Sequence, residues 1–159
     1  MADSMMTGKA PHILLVEAPY YAHIAALLRA GAERALAAVG ATFEIIQVPG
    51  SFEIPGAIGM AAGAGKYDGF VALGCVIRGE TTHYDHICES TANWLQHLAV
   101  HDGLAIGYGI LTCENEQQAL HRANPGGNGR DHGGAAARAC LAMVEVGRRF
   151  AGARAKEPG

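Results

Sequence analysis

Short apolar runs alternate with longer stretches of helical period along the chain. Residues 13–16 form a compact apolar run, the pattern of a strand buried on both faces. After Pro19, Ile24, Leu27, Leu28, Ala32, Ala35, Leu36 and Val39 share one helix face, which Gly40 closes. Residues 43–48 predict a second strand, ended by Pro49-Gly50. Pro55 suits a first helical position, and residues 57–64 read as a helix of small side chains. Its glycines weaken it, each by about 1 kcal/mol relative to alanine. Residues 70–77 are the third strand, and a glycine turn at Gly79 leads into a helix with Tyr84, Ile87, Cys88, Thr91, Leu95 and Leu98 on one side. Residues 104–111 are the fourth strand. Asn115 can cap the next helix, with Gln118 as its capping-box partner. Residues 124–134, rich in Gly and Asn, are a loop, and residues 135–150 a final helix.

Strands alternating with helices imply right-handed βαβ units and a parallel sheet covered on both faces. The expected fold is α/β, a single-domain flavodoxin-like three-layer αβα sandwich on a four-stranded parallel sheet. No repeat or linker interrupts it. The domain is expected over residues 11–151, between a loose tail at 1–10 and a frayed one at 152–159. Sheets of this kind bind ligands at the carboxyl ends of their strands. That rule directs attention to residues 17–21, 49–54, 77–83 and 108–114.

Composition narrows the function classes. Of 159 residues, 50% are hydrophobic and 17% charged, enough apolar material for a core. A net charge of -3 with neutral histidines gives no electrostatic reason to expect nucleic acid, and no Lys/Arg run marks a membrane surface. No apolar stretch approaches the roughly 20 residues that span a bilayer. Residues 1–10 lack the charged-then-apolar order of a signal peptide, so the expected location is cytoplasmic. Cys75, Cys88, Cys113 and Cys140 are too far apart for a C-x-x-C redox or zinc motif and read as small reduced hydrophobes.

The richest segment is Gly74-Cys75-Val76-Ile77-Arg78-Gly79-Glu80-Thr81-Thr82-His83-Tyr84-Asp85, a strand end, a glycine turn and a helix start. Unpaired N–H groups at such a turn attract anions, and Thr81 and Thr82 add hydroxyls. His83 in the first turn can move protons near neutral pH. A capped helix with an exposed histidine would read the same way. His83 and His86 could face each other, but no third ligand is evident and no metal is expected. In Val48-Pro49-Gly50-Ser51-Phe52-Glu53-Ile54-Pro55, Ser51 and Glu53 could hydrogen bond a polyol, or the segment could simply cap a helix, with Phe52 plugging the core. Tyr20 or Tyr21 could stack on a flat heterocycle, or serve ordinary packing. Gly107 and Gly109 lie inside a strand and are not read as a dinucleotide fingerprint. Arg122 and Arg130 flank the glycine loop, where either could hold a phosphate or face solvent.

Together the Pro49–Pro55 and Gly74–Asp85 segments and Gly109-Ile110-Leu111-Thr112-Cys113-Glu114-Asn115 resemble the lumazine synthase family, in the family's order and over nearly the whole chain. The resemblance implies a condensation of 5-amino-6-ribitylaminouracil with 3,4-dihydroxy-2-butanone 4-phosphate. Imine formation, loss of phosphate and ring closure then give 6,7-dimethyl-8-ribityllumazine. No metal or organic cofactor is implied. By resemblance, Tyr20 stacks on the pyrimidine; Ser51, Phe52 and Glu53 bind the ribityl chain; Cys75, Val76 and Ile77 address the ring through backbone. Glu80 and Thr81 form the phosphate turn, and His83 shuttles protons. Tyr108 and Arg122 are lent by a neighbouring subunit, the first to the ring and the second to phosphate. The implied assembly is a homo-oligomer, a pentamer that can build larger particles.

Departures from the family pattern concern Tyr20, where Phe or Trp is common, and Cys75, where Thr is frequent. His132 takes the place of a lysine near the phosphate, and the loop between Arg122 and Gly133 is longer than in shell-forming members. Alternative readings are an archaeal-type riboflavin synthase and a flavin-binding or shell-forming homologue with little turnover. The glycine turn with Thr81 and His83 favours a phosphate-bearing substrate over the former.

Overall fold

A computed structural model describes residue 6, residues 8–79 and residues 83–154, with the side chains of 83 and 152–154 outside the described set. The strands are β1 (His12–Glu17), β2 (Thr42–Gln47), β3 (Gly69–Ile77) and β4 (Ile106–Cys113). The helices are α1 (Ala22–Ala38), α2 (Ile54–Ala62), α3 (His83–His101), α4 (Glu116–Ala123) and α5 (His132–Arg154). All neighbouring strands pair in parallel, in the order β2-β1-β3-β4.

Side-chain alternation divides the core in two. Ile13, Leu15, Val71, Leu73 and Cys75 face α1, α4 and α5. Leu14, Val16, Phe70 and Ala72 face α2 and α3. Because β1 is covered on both sides, Ile13 to Val16 had to be continuously apolar, the pattern of an inner parallel strand. Full burial of each such side chain contributes about 1.5–3 kcal/mol. The expected α/β sandwich of three layers is the fold observed.

Several details differ from the sequence expectation. The helix predicted at 57–64 begins earlier, at Ile54, because a 3-10 turn over Ser51–Glu53 feeds directly into it with Pro55 in its first turn. β4 runs two residues further than predicted, to Cys113, because β3 is long enough to pair Ile77 with it. α5 starts at His132, since Asp131, at φ +48°, turns the chain and its Oδ1 accepts from the Gly134 N–H at 3.0 Å. Asn115 does cap α4, accepting from Gln118 N–H at 2.9 Å. Gln118 reaches past the cap, however, and accepts from Glu114 N–H at 3.0 Å.

Gly107 and Gly109 let α5 lie down on β4. A β-carbon at Gly107 would collide with the carbonyl of Ala136, and one at Gly109 would stand 3.0 Å from the Ala136 β-carbon. At the amino-terminal end of the sheet, His12 bonds Thr42 Oγ1 at 2.7 Å and Glu44 Oε2 at 3.0 Å, and Lys66 reaches Glu44 at 3.0 Å. Hydrogen bonds from Tyr67 first, then Lys66 and His12, push the Glu44 carboxyl down to about 2.

Candidate active site

The chain leaves β1 for α1 on one face of the sheet and returns from β2 to β3 across the other. The crevice at the carboxyl ends of β1 and β3 is therefore the topological switch point, where such sheets bind ligands. An open cleft of about 860 Å³ lies there.

Each strand end supplies one wall. After β1, the Ala18 N–H donates to Leu73 O at 2.9 Å, which holds the exit beside β3. Tyr20 follows, 77% exposed, packed edge-on against Tyr21 with ring centroids 5.0 Å apart. Burial, then the neighbouring Tyr20, pushes the Tyr21 phenol up. An exposed aromatic at the rim of a cleft offers its face to a flat ring.

After β2, Pro49-Gly50 enters the 3-10 turn, closed by Glu53 N–H donating to Gly50 O at 3.1 Å. Ser51 and Ile54 point inward and are buried, while Phe52 is 60% exposed and lines the cleft. Phe52 is thus no core plug; Ile54 fills that place. Ser51, Phe52 and Glu53 all border the cleft with Pro49 and Gly50.

The floor is the end of β3, where Cys75 is buried and Val76 and Ile77 are half-buried. Burial first, and Cys113 beside it, push the Cys75 thiol up to about 12, so it stays a neutral, weakly polar surface. His86, Ile87 and Ser90 of α3 complete the lining. Ser90 had no sequence signal as a single residue. The helical spacing from His83 through His86 and Ile87 to Ser90 was the clue available.

Tyr20, Ser51, Phe52, Glu53, Cys75, Val76 and Ile77, singled out from sequence, therefore meet in one cleft. Glu80 and Thr81 lie outside the described residues, as does the side chain of His83, whose backbone opens α3. Tyr108, Arg122 and His132 do not line the cleft. Tyr108 is 45% exposed on the edge strand β4, in a separate hollow of about 350 Å³ against Ala92, Leu95 and Gln96 of α3. Burial, with Cys88 and Tyr84 nearby, pushes its phenol up.

Arg122 is moored at the carboxyl end of β4, its Nη1 donating to Thr112 O at 3.1 Å and to Cys113 Sγ at 3.4 Å. His132 lies near enough to feel it. Burial, then the positive charges of Arg122 and Arg130, push its imidazole down, with Asp131 opposing. These groups form a cationic corner that does not line the cleft. Among the described residues no group of three or more His, Cys, Asp or Glu could hold a metal ion.

An aromatic rim, a polar turn and a backbone floor suit a flat heterocycle with a polyol tail, and the cationic corner suits a phosphate. Comparison with known proteins gives the same direction. The family model for 6,7-dimethyl-8-ribityllumazine synthase matches residues 10–148. The 6,7-dimethyl-8-ribityllumazine synthase 1 of Rhizobium meliloti (strain 1021) is 50% identical over 147 residues, covering 89% of this chain and 95% of that protein. The synthase of Erythrobacter litoralis (strain HTCC2594) is 50% identical, covering 86% and 96%, and that of Agrobacterium fabrum (strain C58 / ATCC 33970) is 48% identical, covering 89% and 98%. With the cleft at the switch point and this likeness along nearly its whole length, the chain belongs to the 6,7-dimethyl-8-ribityllumazine synthase family, transferases of riboflavin biosynthesis that carry out the condensation described above.

Proposed function

We propose that this cleft holds the pyrimidine substrate and that the cationic corner of an adjacent subunit supplies the phosphate site, so that each active site is divided between two copies of the chain. The observation that carries the reading is the separation of Tyr108, Arg122 and His132 from a cleft that already collects the other candidates.

Tyr20 stacks on the pyrimidine, Ser51, Phe52 and Glu53 take the ribityl chain, and the backbone of Cys75, Val76 and Ile77 addresses the ring edge. Glu80 and Thr81 hold the butanone phosphate from one side, and Arg122, with His132, from the other. The amine of the pyrimidine attacks the ketone carbonyl, water leaves to give an imine, phosphate departs, and ring closure expels a second water. His83 moves the protons these steps require, a contribution of typically 10²–10⁴-fold. Holding two substrates in register supplies much of the rest, about 7–11 kcal/mol at best.

The assembly that brings cleft and corner together is a pentamer, and residues 11–151 form its repeating domain. The reading also places the enzyme in the cytoplasm. No described helix is long and apolar enough to cross a membrane. Incubating the purified chain with both substrates and following the lumazine chromophore, alongside native mass measurement, tests these points together. Product from pentamers and none from isolated monomers is expected. Turnover by a monomer would overturn the divided site.

A further inference from the structure

We propose that Arg78 is a positioning residue for the condensation, fixing the first turn of α3, and with it His83, against the carboxyl ends of β3 and β4. The inference rests on the reading of His83 as the group that moves protons.

Arg78 is where three segments converge. Its backbone N–H donates to Cys113 O at 2.9 Å, beyond the last residue pair of β3 and β4. Its Nε lies 3.2 Å from Glu114 Oε1 and 3.0 Å from Oε2, just past the end of β4. Its Nη2 lies 3.7 Å from Asp85 Oδ1, and its guanidinium carbon 4.7 Å from the centre of the Tyr84 ring. Tyr84 and Asp85 belong to the first turn of α3. One planar group therefore joins β3, β4 and the residues immediately after His83.

The chemistry of these partners separates positioning from substrate binding. Two carboxylates around one guanidinium leave no net positive charge to offer an anionic substrate. Arg78 is accordingly a poor phosphate receptor, unlike the corner of Arg122. A single exposed ion pair holds little, but one rigid group meeting two carboxylates and an aromatic face constrains orientation as well as distance. Lysine could keep an ion pair with Glu114 and would lose the planar fork that reaches Asp85 and the Tyr84 ring together. Proton transfer depends on placement, and a shift of about 1 Å can cost ~100-fold in rate.

Steady-state kinetics on Arg78→Gln, Arg78→Lys and Glu114→Gln, each alone and combined with His83→Ala, tests the inference. Circular dichroism and native mass confirm that every variant folds and assembles. Arg78→Gln should lower kcat ~10- to 100-fold with KM for both substrates little changed. Arg78→Lys should recover part of the loss, and Glu114→Gln should lower kcat in the same direction by less. In the His83→Ala background, Arg78→Gln should cost nothing more. Independent, multiplicative losses there, or a rise in KM for the butanone phosphate as the main effect, would overturn the inference. Wild-type kcat in both Arg78→Lys and Glu114→Gln would do so even if Arg78→Gln failed to fold. Undiminished turnover in His83→Ala alone would instead remove the reading of His83 on which it rests.

Discussion

The hydroxyl of Ser51 lies so close to Gly74 that a β-carbon at that glycine would stand 2.7 Å from it. The turn after β2 is therefore docked onto β3 through the absence of a side chain. Gly74→Ala should push Ser51 and its turn outward, cost about 1–3 kcal/mol of stability and raise KM for the pyrimidine. Adding Ser51→Ala removes the clashing atom. Denaturant midpoints should then recover in part, and no recovery would show that the strain lies elsewhere.

Arg122→Ala should raise KM for the butanone phosphate ~10- to 100-fold, the worth of a hydrogen bond to a charged group, and leave KM for the pyrimidine nearly unchanged. Parallel rises in both constants would deny Arg122 its phosphate role.

His132 gives the corner an unusual pH response. Its folded-state imidazole sits below the ordinary value of 6.5, chiefly through burial and then through Arg122 and Arg130. Unfolding therefore takes up a proton once the pH drops below about 6.5, and stability contributed by the neutral ring fades on acidification. His132→Gln should flatten that part of the stability profile, read as denaturant midpoints between pH 7.5 and 5.5. His132→Lys should lower KM for the phosphate substrate above neutrality, where the native ring is uncharged. Unaltered KM across that range would place His132 outside the phosphate site.

Glu44 offers a control far from the cleft. Its carboxyl is held down to about 2 from an ordinary 4.5 by Tyr67, Lys66 and His12. Ionised Glu44 thus stabilises the fold above about pH 4.5, and the contribution is lost as the pH falls toward 2. Glu44→Gln should lower Tm at neutral pH, the difference from the parent narrowing as the solution is acidified through that window, with kinetic constants unaffected. A change in KM would mean that the two ends of the sheet communicate.

The sheet was legible in the sequence because its inner strands are buried on both faces and so carry unbroken apolar runs. The start of α2 was harder to read. Nothing in Ser51-Phe52-Glu53 distinguishes a 3-10 turn from a loop until Ser51 is seen against Gly74. The start of α5 depended on Asp131 adopting a left-handed backbone that its residue type permits but does not announce. Strand-end arithmetic found most of the cleft, and family resemblance supplied the chemical roles. Ser90 carries no signal of its own, because a helix face becomes a wall only once packing has chosen which way it looks. The network around Arg78 joins residues seven and thirty-six positions apart, which no local pattern connects.

On the proposed division of the site between two subunits, damage to the cleft or to the cationic corner is confined to one half of every reaction centre. Mixing a variant impaired at Ser51 and Glu53 with one lacking Arg122 should, after dissociation and reassembly, regenerate some junctions in which an intact half from each parent meets the other. At limiting substrate, two impaired parents would thus give a hybrid more active than either. Dilution, by undoing the junctions, would quench both hybrid and native enzyme without altering a single covalent bond.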